Sequence, residues 1–327
     1  MIRTLSPSDA IELALAEEMR RDDRVIVFGE GVATKRPALV AEFGRDRVRN
    51  TPLAEGIIAG TAAGAAAMGL RPVVDLLFAP FLTLAMDAII NSAGKLRYLS
   101  GGQFSFPMTV VAMSGAGWGV GAQHNHNLEA MFVHAPGLKV VMPSDVTDTK
   151  GLLQAAIRDD NPVLFFHDIA AAHTPAELRS DARVPALGCA TRRRTGDDVT
   201  LVSYGKTVGH CLVAAHRLSE QGIEADVLDL RSLKPLDEAA VLASARRTGR
   251  VVVVHEANRL CGVGAEIAAL VAERAFHALR APVLRLGGPD APAAGSWGLE
   301  QAGVPQADAI VEAATRVVED SLAPLAS

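Results

Sequence analysis

Short apolar runs alternate along this chain with longer stretches in which apolar residues recur at three- and four-residue spacing. The first pattern predicts buried strands and the second predicts amphipathic helices. A helix is expected over residues 8–20, a strand over 24–28 ending at Gly29, a helix within the Ala- and Gly-filled stretch 57–70, and a strand over 72–77. A long helix is expected over 81–99, stopped by Gly101-Gly102, followed by strands over 108–112 and 138–142. Ser144 is expected to cap a helix running to about Arg158, and residues 163–166 complete a first sheet. Such alternation predicts an α/β fold with a parallel sheet covered on both faces.

Residues 169–198 lose this periodicity and carry Pro175, Pro185, Gly188 and Gly196. They divide the chain into expected domains of 1–180 and 181–327. A second series follows, with strands over 199–204, 225–230, 251–255 and 283–286 and helices over 208–221, 237–247 and 264–278.

Composition narrows the functional classes. With 327 residues, 49% of them hydrophobic, the chain is long enough for two cores. Its net charge of -5 argues against a nucleic-acid partner, and the one tight basic run, Arg192-Arg193-Arg194, reads as a solvated loop or edge. Three scattered cysteines, Cys189, Cys211 and Cys261, show no metal-ligand spacing and point to a reducing cytoplasm. The N-terminus lacks the layout of an export signal. The apolar stretch 57–70 is short for a membrane span; Gly60 and Gly64 on one face predict close packing against a neighbouring helix or sheet.

Two segments carry candidate chemistry. Thr51-Pro52-Leu53-Ala54-Glu55-Gly56 places one carboxylate among small and apolar residues just before a glycine-spaced helix. Burial there would favour the neutral acid and let Glu55 share a proton with a ligand; alternatively Glu55 serves the first turn of that helix. The run from Gly115 to Glu129 reads G-A-G-W-G-V-G-A-Q-H-N-H-N-L-E. Its glycines allow a tight path around a ligand, but it does not fit a dinucleotide-binding fingerprint. His124 suits a general acid or base, histidine ordinarily titrating near neutrality. His126 and His134 are read as surface or interface residues. His255 and Glu256 stand at a strand's carboxyl end, where open α/β sheets bind ligands, with a structural or interface role equally open.

Seven ordered segments carry a family resemblance: T-P-L-A-E-G, G-L-R-P-V-V, N-S-A-G-K-L-R-Y-L-S-G-G-Q, A-Q-H-N-H-N-L-E-A, H-A-P-G-L-K-V-V-M-P-S-D, K-G-L-L-Q-A-A-I-R-D-D-N-P and D-L-R-S-L-K-P-L-D. Through them the chain resembles the β subunit of thiamine diphosphate-dependent 2-oxo acid dehydrogenase E1 components of the pyruvate, branched-chain and acetoin type. The resemblance implies a pyrimidine-binding domain followed by a transketolase C-terminal-like domain. It makes Glu55 the glutamate that binds the cofactor's aminopyrimidine nitrogen, Phe81 an aromatic packed beside that ring, and His124 the histidine that moves protons during acyl transfer to a lipoyl arm. It also implies a potassium site at Met108, Ala156, Ile157, Asp159 and Asn161.

The family's diphosphate- and Mg2+-binding G-D-G pattern is missing here, the nearest string being Gly196-Asp197-Asp198. The resemblance therefore implies that an α subunit holds the diphosphate and Mg2+, in an α2β2 heterotetramer with the cofactor at α/β interfaces. The implied activity is decarboxylation of a 2-oxo acid, or cleavage of acetoin, with acyl transfer to lipoyl-E2. The alternative is a two-chain carboligase or split transketolase that uses no lipoate.

Overall fold

Local sequence decides where the first helix begins. Ser6 accepts a hydrogen bond from the Asp9 amide, Asp9 reaches back to the Ser6 amide, and Pro7 occupies the first turn of Pro7–Arg21. A computed structural model describes residues 3–179 and 183–320; the expected boundary between residues 180 and 181 lies outside them.

The strands of the first half are β1 (Arg3–Leu5), β2 (Val25–Glu30), β3 (Val48–Thr51), β4 (Arg71–Phe78), β5 (Thr109–Ser114), β6 (Lys139–Val141), β7 (Val163–Asp168) and β8 (Ala176–Leu178). Those of the second half are β9 (Thr191–Arg194), β10 (Val199–Ser203), β11 (Ala225–Asp229), β12 (Ser232–Lys234), β13 (Val251–Asn258) and β14 (Leu284–Gly288). A seven-stranded sheet runs β12-β6-β7-β5-β4-β2-β3 and a five-stranded sheet runs β14-β13-β10-β11-β9. Both are parallel except for the antiparallel edge strands β12 and β9. Every residue of β7, β10 and β11 is buried, as strands covered on both faces require. β1 and β8 form a separate antiparallel pair.

Several elements depart from the sequence expectation. The stretch 81–99 is not one regular helix: it passes from a 3-10 turn, Ala79–Ala85, through a π-helical segment, Asp87–Ala93, to an α-helix, Gly94–Leu99. The change of pitch brings Gly94 hard against Gly137, where an added Cβ would lie 1.8 Å from the Gly94 carbonyl oxygen. Asp145, not Ser144, caps Val146–Arg158, accepting from the Asp148 amide at 2.7 Å. The Ser144 hydroxyl donates instead to Asp229 at 2.6 Å. In Glu55–Ala67 the alanines and Ile58 face the core, whereas Gly60 and Gly64 face outward with nothing within 4 Å. The close approach expected of those glycines is therefore not made within this chain.

The arginine triplet forms the edge strand β9, but its middle residue is not solvated. Arg193 reaches Asp145 at 2.7 Å, Asp148 at 2.5 Å and Asp229 at 2.7 Å, joining the two domains. Burial pushes the Asp229 carboxyl up to about 6 even with Arg193 opposing it. Removing Arg193 leaves buried Asp229 without this cation, whereas Asp148 keeps Arg231 at 2.9 Å and Asp145 is part-exposed. Arg193→Met is expected to lower unfolding stability by about 3–5 kcal/mol, with Arg193→Lys recovering part of the loss, as read by chemical denaturation.

Candidate functional site

The site begins where β4 ends. Leu77 adopts a left-handed conformation, φ 59°, and its amide donates to Asp75 Oδ1 at 3.1 Å. A β-branched or long side chain holds that conformation only under constraint, and here it turns the chain so that Phe78 and then Phe81 stand together, ring centroids 6.1 Å apart. His124 inserts edge-on against both, 4.9 Å from Phe78 and 5.3 Å from Phe81 with planes near perpendicular. Its Nδ1 is buried without a hydrogen-bond partner. Trp118 meets Phe78 at 6.5 Å and stacks on His173 at 5.9 Å.

Glu55 is the first residue of Glu55–Ala67. It makes no capping bond, is half-buried, and its carboxylate has no partner among the described residues. The next position, Gly56, would place a Cβ 3.1 Å from the Leu84 carbonyl, so the start of this helix abuts the 3-10 turn that carries Phe81. Phe81 and His124 are thus in contact, with Glu55 on the adjoining element. Phe78, Trp118 and His173 are additions that spacing alone did not single out; the signal for Trp118 was its place inside the glycine run.

The loop that carries His124 is gripped by the second domain. Glu256, at the carboxyl end of β13, accepts from the Ala116 amide at 2.5 Å and from Lys206 Nζ at 2.8 Å. Lys206 also donates to the Ala116 carbonyl at 2.5 Å and lies 3.6 Å from Asp168. Burial pushes the Glu256 carboxyl up to about 7, with Lys206 opposing and Asp168 reinforcing the rise. Glu300, 3% exposed, accepts from the Gly119 amide at 3.2 Å and from the Asn125 side-chain amide. His126 meets Asn258 across the same seam at 3.0 Å, while His134 is exposed. His255 is packed on Tyr204 and pushed down to about 4 by burial, which keeps it neutral.

The expected potassium segment is an oxygen-rich corner already supplied with cations. One Arg71 nitrogen, Nη1, donates to the Ile157 carbonyl at 3.0 Å and the Asp159 carbonyl at 3.1 Å. Lys139 pairs with the Asp159 carboxylate, Arg97 donates to Asn161 Oδ1 at 2.9 Å, and the carbonyls of Ala156 and Met108 accept backbone amides. A potassium ion would have to share these oxygens with Arg71. Among the described residues no group of three or more His, Cys, Asp or Glu side chains is arranged to hold a metal ion. Asp197 of the Gly196-Asp197-Asp198 string pairs with Arg247 at 2.8 Å, and Asp198 accepts from the Glu224 amide at 2.7 Å. No described helix is long and apolar enough to cross a membrane.

Comparison with known proteins agrees with this arrangement of two domains. Residues 3–169 match the family "Transketolase, pyrimidine binding domain" and residues 188–310 match "Transketolase, C-terminal domain". The chain is 43% identical to the acetoin:2,6-dichlorophenolindophenol oxidoreductase subunit beta of Bacillus subtilis, covering 95% of this chain and 96% of that one. It is 44% identical to the 2-oxoisovalerate dehydrogenase subunit beta of the same organism, over 88% of this chain and 90% of that one. Among solved structures, a split-gene transketolase described as an inactive β4 tetramer superposes with TM-score 0.83 at 25% identity, covering 97% and 99% of the two chains.

The Glu256 environment has a consequence for pH. The folded chain holds the Glu256 proton up to about pH 7, whereas the unfolded chain releases it near 4.5. Between those values the native state binds more protons, so this group's contribution to stability is lost as pH rises. Glu256→Gln is expected to gain stability over the parent at pH 8 relative to pH 5, by up to about 3 kcal/mol. Denaturation at the two pH values measures this, and an unchanged difference between parent and variant would exclude it.

Proposed function

The chain belongs to the β subunits of thiamine diphosphate-dependent acetoin and 2-oxo acid dehydrogenases, and from that premise we propose that Glu55, Phe81 and His124 are the half of the cofactor site that this subunit supplies to an α partner. The observation that carries the proposal is a Glu55 carboxylate without a partner among the described residues, at the start of a helix that abuts the turn whose Phe81 packs on His124. Together the two subunits decarboxylate a 2-oxo acid, or cleave acetoin, and pass the acyl unit to a lipoyl-bearing E2.

The residues fit thiamine diphosphate in chemistry. When bound, the cofactor supplies an acidic thiazolium carbon and a ring that accepts the electron pair released on carbon–carbon cleavage. Glu55, half-buried at the start of its helix, would be the residue that hydrogen-bonds a nitrogen of the aminopyrimidine. Phe78 and Phe81 give that ring an apolar aromatic flank. His124, its Nδ1 unpartnered, delivers the proton needed by the sulfur released when the lipoyl disulfide accepts the acyl group. The diphosphate and Mg2+ fall to the α subunit.

An α2β2 assembly accounts for the surface around Glu55. Leu53, Ile57, Leu84 and Met68 are 69%, 73%, 66% and 85% exposed. They flank the outward glycine face of Glu55–Ala67, where another subunit's backbone would meet no side chain. Exposed apolar groups gathered in this way mark an interaction surface.

The test uses the complex co-purified with its α partner. Glu55→Gln should assemble normally yet lose turnover by roughly two or more orders of magnitude, as loss of an acid that acts in the transition state requires. His124→Ala should retain reduction of an artificial dye while losing lipoyl-domain acylation. Near-normal turnover by Glu55→Gln would refute its role. Ketol formation without any lipoyl acylation by the parent would move the enzyme to the carboligase class.

A further inference from the structure

Inside its pocket His124 is constrained by ring edges and by its own backbone alone. Phe78 and Phe81 limit its tilt, but no protein group bonds its Nδ1. Where the imidazole sits therefore depends on where the loop 115–127 sits. That loop is pinned on one side by the first domain, through Gly117 against Ala170 and Trp118 stacked on His173.

On its other side the second domain holds it through carboxylates. Glu256 and Lys206 straddle one peptide group, Glu256 taking the Ala116 N–H and Lys206 giving to the Ala116 C=O. Three residues on, Glu300 takes the Gly119 N–H, and it holds Asn125, the neighbour of His124, by the side chain. Approach of Glu256 depends on Gly115, φ 91°, where an added Cβ would lie 2.5 Å from Oε2 and 2.8 Å from Oε1. Backbone amides that donate to buried carboxyl oxygens fix geometry, because those oxygens have no water to turn to instead.

We propose that Glu256 and Glu300 of the second domain are positioning residues for His124, holding the loop 115–127 at Ala116, Gly119 and Asn125 so that the imidazole is presented for acyl transfer. The inference rests on the proposed role of His124. Neither carboxylate touches the aromatic corner itself; both act through the loop backbone and Asn125.

Glu256 offers a conservative control. Its Oε2 has no hydrogen-bond partner, while Oε1 takes both Ala116 and Lys206. Glu256→Gln can keep the bonding oxygen, whereas Glu256→Ala cannot.

In the co-purified complex, Glu256→Ala and Glu300→Ala are expected to lower lipoyl-domain acylation by on the order of 10–100-fold, the scale of a displaced reacting group. Dye-linked decarboxylation should fall less. Amide hydrogen exchange over residues 115–127 should quicken in both variants, and Glu256→Gln should return exchange and acylation close to the parent. Gly115→Ala, which keeps both glutamates in the chain but drives a Cβ into the Glu256 carboxylate, should displace the loop and reproduce the selective loss even if an alanine variant fails to assemble. Unchanged exchange over 115–127, or equal loss of the dye and lipoyl reactions in every variant, would overturn the proposal. A parent complex that acylates no lipoyl domain would instead overturn the functional reading, and the exchange measurement would still judge the grip on the loop.

Discussion

A carboxylate removed from water must find a donor, and the seam between the two domains is organised around that requirement. Among the acids buried along it, four take hydrogen bonds from uncharged donors of the opposite domain. The Tyr204 hydroxyl donates to Glu129, the Ala116 amide to Glu256, Ser144 to Asp229, and Gly119 with Asn125 to Glu300. Separating the domains would strand all four, so these contacts specify relative position in a way that the apolar packing around them does not. Non-directional burial would tolerate small slips; fixed donors and acceptors do not. The histidine loop is held at this seam, so the position of that loop and the packing of the domains are one problem in this chain.

Much of the architecture was legible because the two halves read as βα series, and strands such as β7 and β11 are uniformly apolar or buried through their length. Motif order singled out Phe81 and His124, which the fold brings into contact, and Glu55, which it places on the adjoining helix. Sequence spacing gave no sign of how the second domain meets the first. Glu256 was visible only as an acid at a strand's end, and Glu300 only as a residue in a segment without pattern, because their partners lie 140 and 181 residues away. Arg193 looked like one of three surface arginines until its carboxylates arrived from three other segments. The irregular course of residues 79–99 was hidden for a related reason: the apolar spacing is helical, and the close approach of Gly94 to Gly137 joins residues 43 positions apart.

The outward glycines of Glu55–Ala67 were misread in direction rather than in kind. Small residues at four-residue spacing do signal close approach, yet nothing in this chain comes near Gly60 or Gly64. The same helix that presents Glu55 thus turns its smoothest side away from its own core. Carboxylate and bare helix face are set by a single short segment, so docking of a neighbour on that face would align Glu55 at the same time.

One small element changes what kind of machine this subunit can be. β12, only three residues long, leaves the second domain and completes the first domain's sheet, pairing Ser232 with Val141 and Lys234 with Val140. Lys234 Nζ then binds the carbonyls of Val133 and Ala135. Bending halves laced in this way apart would break a strand pairing before it opened a cleft. Whatever opening a ligand requires is thereby shifted from the join between the two halves to the segments that surround it.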